Sequence, residues 1–213
     1  MLARHPDQLT ADDLGRFTDA LQLRSGKSLT VRFLVPGDAD ALQSYFRALS
    51  QNSRYRRLMG AANELAPSEL DKATHVGAQN IFGVVAEMQV DGADVIVGEA
   101  RYAFDPLSMS AEFGISIDDR FQGQGIGAAM LANLECRTAA LGAIRLIGDT
   151  LRNNEPMIAL ARKLGFNFTT TPGDWKQVRF EKRLSSAVAD IPCESWRLAA
   201  ASGFSASVFS PAL

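Results

Sequence analysis

The chain has 213 residues, 46% of them hydrophobic and 22% charged, with a formal net charge of −2. That length and balance fit one soluble domain of ordinary size, and the near-neutral charge gives no broad basic field for nucleic acid or an acidic membrane. Two cysteines and two histidines are too few for a disulfide framework, a thiolate or histidine metal site, or a histidine triad, so no metal is expected.

No apolar run approaches the roughly 20 residues needed to cross a bilayer. Residues 1–8 lack the apolar core of a secretory leader, and the expected location is the cytoplasm.

Residues 1–28 read as an N-terminal helical extension. Thr10 and Asp13 have a capping-box-like spacing, and Leu14, Phe17 and Leu21 form an apolar stripe. Ser25-Gly26-Lys27-Ser28 ends it. Residues 29–35 alternate as a strand, and Pro36-Gly37-Asp38 turns into a helix to about Leu49. Residues 50–79 read as helical and irregular. Strands at 81–90 and 95–104 meet at Asp91-Gly92, a hairpin signal. A further strand, 110–117, precedes the most informative stretch of the chain.

That stretch is Arg120-Phe121-Gln122-Gly123-Gln124-Gly125-Ile126-Gly127-Ala128, followed by an apolar-periodic helix to Leu141. A glycine-rich strand-to-helix turn lets main chain approach a ligand, and its N–H groups at a helix N-terminus form an anion site. A P-loop would need a lysine after the glycines, and none follows. A dinucleotide fingerprint is formally met by Gly123, Gly125 and Ala128, with Asp149 about twenty residues on. Hairpins upstream, in place of repeated βα units, argue against it. The third pattern, Q-x-x-G-x-G, is met by Gln122, Gly125 and Gly127.

After a buried strand, 144–148, comes Asn154-Glu155-Pro156-Met157-Ile158-Ala159-Leu160-Ala161-Arg162-Lys163-Leu164-Gly165-Phe166, then strands at 166–170 and 177–184. The two motifs, in this order and with a strand between them, resemble the GNAT (general N-acetyltransferase) superfamily over residues 29–184. The second is similar to its pattern N-x-x-A-I-x-L-Y-x-K-x-G-F. The resemblance implies a GNAT α/β fold, with a mixed, mostly antiparallel central sheet and helices on both faces. It also implies acetyl-CoA as cosubstrate. One residue departs from the pattern: Ala161 stands where many members carry the tyrosine that protonates the leaving thiolate.

By the same resemblance, main-chain groups of Ile115 and Ile117 would meet the pantetheine arm and thioester. Residues Gln122, Gly123, Gln124, Gly125, Ile126, Gly127 and Ala128 would hold the pyrophosphate. Asn154 would hydrogen-bond the pantetheine arm, or cap the helix that follows, or both. The strand-edge logic is that pantetheine amides pair where two parallel neighbours splay apart.

Amine acylation needs a neutral nucleophile, and a free lysine has a pKa of about 10.4, so a general base helps. Glu112 is the candidate. It alternates with Gly114 and Ser116, opposite Phe113, Ile115 and Ile117. Glu99, beside Arg101, is the alternative, and an arginine partner would lower its pKa and weaken it as a base. Cys136 reads as a buried structural thiol.

Residues 49–57, Gly98-Glu99-Ala100-Arg101-Tyr102 and Asn154-Glu155-Pro156-Met157 with Ala161 are similar to the Pat-type protein lysine acetyltransferase branch. That branch often carries a fused nucleotide-sensing or acyl-CoA-synthetase-like module, and none is expected here. Arg54, Arg56 and Arg57 could equally be a solvated helix face. The expected function is acetyl, or other short acyl, transfer to an amine by direct attack. The acceptor is a protein lysine or, alternatively, a small-molecule amine. The rival from another class is a non-catalytic acyl-CoA-binding regulatory protein. Residues 185–213, rich in Ala and Ser but with Trp196, Phe204 and Phe209, read as a tail partly docked on the domain or on a second copy, which would make a homodimer contact.

Overall fold

The computed structural model describes residues 17–170, 173–184 and 193. Eight strands form one sheet: β1 (Thr18–Gln22), β2 (Ser28–Phe33), β3 (Ile81–Val90), β4 (Ala93–Asp105), β5 (Ser110–Ile117), β6 (Arg145–Leu151), β7 (Asn167–Thr170) and β8 (Gln177–Arg183). Their order is β1-β2-β3-β4-β5-β6-β8-β7. Every neighbouring pair is antiparallel except β5 and β6. Among the described residues, five α-helices flank the sheet: α1 (Ala39–Ala48), α2 (Gln51–Leu58), α3 (Pro67–Thr74), α4 (Ile126–Ala140) and α5 (Glu155–Lys163).

The sheet is covered on both faces because its strands alternate apolar residues between two cores. Val84 joins the larger core, with Met130, Leu131 and Leu134 of α4 and Ala161 of α5. Its neighbour Val85 joins the smaller one, with Leu42, Tyr45 and Phe46 of α1 and Ala73 of α3. The β3–β4 turn is a two-residue reversal between Val90 and Ala93. Asp91 and Gly92 there have φ of 52° and 84°, the twist that the Asp-Gly pair favours.

One expected element differs. The stripe through Leu14, Phe17 and Leu21 predicts a helix, yet residues 18–22 are a strand hairpinned onto β2, with Leu21 opposite Leu29. Residues 1–16 lie outside the described residues. The inward positions of β1 are Asp19 and Leu21, and a charged residue at a core position hides the two-residue period. Asp19 is buried because Arg137 and Asn133 of α4 meet its carboxylate, Asn133 donating to Oδ2 at 2.9 Å. The Arg137 guanidinium also lies 4.6 Å from the Phe33 ring centroid.

The two cysteines also differ from expectation. Cys136 on α4 is bonded to Cys193, 57 positions further along the sequence, with Cα atoms 6.1 Å apart. Both are enclosed. The pairing joins a helix to a distant segment, a connectivity that cysteine counting alone cannot supply. The rest of 185–213, and with it the docked tail, lies outside the described residues. No helix among the described residues is long and apolar enough to cross a membrane.

Candidate active site

β5 and β6 run side by side only as far as Phe113 and Gly148. Beyond that register β5 keeps its β4 partner through Ile117 while β6 turns to pair with β8 alone. Residues 114–117 therefore carry main-chain groups with no β6 partner, facing a cleft of about 430 Å³. Gly114, Ile115, Ser116 and Ile117 form one wall, and Asp149, Thr150 and Asn154, at and beyond the end of β6, form another. The splayed pair of parallel strands expected from the sequence is present.

The glycine turn closes a third side. Gln122, Gly123, Gly125, Ile126, Gly127 and Ala128 line the cleft. Gly125 is the N-cap of α4 with φ of 89°, and Gly123 has φ of 76°, left-handed values that strain other residues. A Cβ on Gly127 would come within 3.1 Å of Leu160 on α5, so glycine also lets the two helices approach. The first N–H groups of α4 lack intrahelical partners and sit at the positive end of its dipole. Lys163 and Arg56 add cationic side chains to the lining. This arrangement suits a pyrophosphate. The Gln122 side chain does another job: its Nε2 donates to Ile117 O at 3.0 Å, pinning the turn to the strand end. Gln124 is not in the lining, and its side chain donates to Arg120 O at 3.3 Å.

Asn154 caps α5, accepting from Met157 N at 3.5 Å, while its Nδ2 donates to the Thr150 hydroxyl at 2.9 Å. The capping role is thus observed, and the residue faces the cleft as well. Ala161, by contrast, is fully enclosed in the larger core and does not line the cleft. Pro156, Met157, Leu160 and Lys163 are the α5 residues that do.

The opposite face of β5 carries a polar network that the sequence does not announce. The Glu99 carboxylate on β4 accepts from Arg57 Nε and Nη2, each at 3.0 Å, and lies 3.3 Å from Arg101 Nε. Ser116 Oγ is 3.4 Å from Glu99, and the Tyr45 hydroxyl is 3.0 Å from Ser116 Oγ. Arg101 in turn meets Glu69 at 2.6 Å. Burial opposes ionisation of Glu99, but the Arg57 and Arg101 guanidiniums outweigh it and hold its pKa below the ordinary range. Burial pushes the Tyr45 phenol upward. Since an ionised carboxylate only accepts, Ser116 donates to Glu99 and Tyr45 donates to Ser116.

Arg57 is therefore not part of a solvated helix face; its side chain is 9% exposed. Helix α2 is docked here by its own N-terminus. Ser50 N, Ser50 Oγ and Ser53 Oγ all donate to the Asp119 carboxylate, just before the glycine turn, at 2.7–2.9 Å. Arg57, Ser116 and Tyr45 are the site residues that motif reading misses. A serine, a tyrosine and an arginine far apart in sequence give no local signal.

Glu112 lies on the same β5 face as Gly114 and Ser116, nearer the strand's start and outside the cleft lining. Its side chain is 63% exposed and 3.6 Å from Arg179, which is itself held bidentately by Asp149.

Residues 45–166 match the acetyltransferase (GNAT) family model. An acetyltransferase of Pseudomonas aeruginosa is 28% identical over 73% of this chain and 84% of that protein. Among solved structures, the GNAT domain of the Streptomyces protein S. lividans Pat superposes with a TM-score of 0.71 at 24% identity, covering 79% of this chain and 97% of that one. A cAMP-binding acyltransferase from Mycobacterium smegmatis superposes with a TM-score of 0.59 at 20% identity, and this chain spans 56% of it. At such identities the two structures speak for the fold. The family match covers more than half of the chain and contains both the glycine turn and the splayed strand: the chain belongs to the GNAT family of acetyltransferases.

Proposed function

We propose that this acyltransferase moves an acetyl (or other short acyl) group from its coenzyme A thioester to a protein lysine by direct attack, with Glu112 as general base. One observation carries the reading. The main-chain edge at residues 114–117, which has no β6 partner, and the glycine turn at 123–128 border the same cleft, so one extended thioester can pair along the edge while its pyrophosphate rests on the turn. Members of the family generally use acetyl-CoA. Asn154, beside the open edge, has the position to hydrogen-bond the pantetheine arm.

Glu112 is favoured over Glu99 by its surroundings. Glu99 is held ionised by two guanidiniums inside the protein, which makes it a weak proton acceptor. Glu112 is open to water, through which a proton can leave. The protein-lysine acceptor is supported by the resemblance of residues 49–57, 98–102 and 154–157 to the Pat-type branch. Arg56 and Arg57 on the cleft wall support a second reading, a small amine that also carries an anionic group. The cytoplasm remains the proposed location, and the Cys136–Cys193 bridge is the feature that weighs against a reducing compartment.

Thiol release from acetyl-CoA, measured across lysine peptides and small amines, tests the reading. Release with peptides supports it. Release with small amines alone moves the acceptor class. Coenzyme A binding without release by any amine would leave a binding protein instead of an enzyme.

A further inference from the structure

The Arg57 guanidinium lies directly on the main chain of Gly114. A Cβ at that position would stand 2.6 Å from Nη1 and 3.2 Å from Cζ, so only glycine admits the group where it is. Glu99 takes Nε and Nη2, which fixes the plane of the guanidinium and leaves Nη1, the nitrogen next to Gly114, unused by that carboxylate. Glu99 is itself braced by Arg101, and Arg101 by Glu69, so the clamp does not depend on a mobile surface side chain. Gly114 is the first β5 residue past the end of the β5–β6 register, and both it and Arg57 border the cleft. A preoriented, fully charged donor thus stands at the point where the two strands open.

We infer that Arg57 is a catalytic residue that stabilises the oxyanion formed at the thioester carbonyl. The assignment rests on the proposed seating of the thioester along residues 114–117. In the step, the amine lone pair forms the C–N bond and the carbonyl π pair moves onto oxygen. Arg57 Nη1 hydrogen-bonds that oxygen without giving up its proton. When the pair returns to re-form C=O, the C–S bond breaks and its electrons leave with sulfur as thiolate. The proton lost by the ammonium goes to Glu112, and the thiolate takes one from water. A donor held rigid before the reaction favours the charged intermediate over the neutral thioester, which is where catalysis gains. Ala161, which offers no proton to the leaving group, makes this stabilisation weigh more in the barrier.

The test uses the full chain with acetyl-CoA and whichever amine the wild type accepts. Arg57→Ala should lower kcat about 10²- to 10³-fold while changing the coenzyme A dissociation constant less than threefold. Glu99 keeps its Arg101 partner in this variant, so folding is expected to survive, and melting temperature checks it. Free guanidinium ion should restore part of kcat to Arg57→Ala and nothing to the wild type, a response that a merely structural arginine would not give. Gly114→Ala provides a second route, because its Cβ displaces the guanidinium without removing the charge; kcat should fall there too. Near wild-type kcat in a folded Arg57→Ala protein, or a loss in that variant that guanidinium leaves untouched, would overturn the assignment. Absence of thiol release from the wild type with every amine would take down the acyl-transfer reading first, and this assignment with it.

Discussion

The two faces of β5 solve different problems with one alternating strand. Phe113, Ile115 and Ile117 point to α4 and α5 and belong to the larger core. Glu112, Gly114 and Ser116 point to the other side, where Arg57 of α2 and Tyr45 of α1 meet them. The apolar face is fixed by shape, and its helix partners, α4 and α5, follow it directly in the chain. The polar face is fixed by charge, and its partners come from far upstream: Tyr45 is 71 residues from Ser116, and Arg57 is 42 from Glu99. A burial-driven face is therefore readable from local periodicity, and a charge-driven face is not. The difference also divides the work: the apolar face holds the strand against the helices that carry the glycine turn, and the polar face can engage reacting groups.

The largest expected effect is at the glycine turn. Gly125→Glu puts a side chain where φ is 89° and a negative charge where a pyrophosphate belongs. Gly127→Glu adds the same charge and presses its Cβ on Leu160, 3.1 Å away. Both should abolish coenzyme A binding by calorimetry. Retained affinity in both would remove the cleft's assignment as a thioester site.

Next comes the polar face. Glu112→Gln should lower kcat by about 10²- to 10⁴-fold with thioester affinity nearly intact. The fall in rate on acidification that a carboxylate base produces should vanish with it. A variant with near wild-type kcat would hand proton removal to Glu99 or to water. The Arg57 assignment predicts a loss of similar kind but a different signature, rescue by guanidinium, so the two variants separate a base from an oxyanion donor.

Glu99 gives a stability test with a defined sign. Its pKa in the folded chain is held below the ordinary carboxylate range, despite burial, by Arg57 and Arg101. The clamp therefore contributes fully above the unfolded pKa and loses its contribution as pH falls through the lower folded value. Melting temperature should decline on acidification below about pH 4.5, and Glu99→Gln should be less stable at neutral pH with a flatter acid limb. An acid limb of unchanged steepness in the variant would mean that other carboxylates dominate.

How much of this was legible beforehand follows the same division. The hairpin at Asp91-Gly92, the strand into the glycine turn and the helix after Asn154 are local patterns, and each is where the sequence places it. β1 is not, because Asp19 occupies a core position only by virtue of Arg137 and Asn133, more than a hundred residues away. The Cys136–Cys193 bond is likewise a long-range pairing. Arg57 illustrates the limit best. In sequence it belongs to a run of arginines that suggests a wet surface, and only the fold sets Glu99 and a glycine beneath it.

Ala161 supplies the smallest and most discriminating test. In sequence its position suggests either room beside a thioester sulfur or a space filled by bulky neighbours. The structure favours the second, since Ala161 is 0% exposed and packed in the larger core, and its carbonyl accepts from Phe166 N at 3.0 Å. The cleft is lined instead by Pro156, Met157, Leu160 and Lys163 of the same helix. Ala161→Tyr should then overpack the core and cost roughly 1–3 kcal/mol, which lowers the melting temperature by about 2–4 °C per kcal/mol for a domain of this size. It should bring no gain in kcat, because a phenol forced among core side chains cannot be held at the leaving sulfur. A variant that melts like the wild type and releases thiol faster would show that the helix can turn this residue toward the cleft. That outcome would restore a side-chain acid to the mechanism and reduce the share of the barrier left to Arg57.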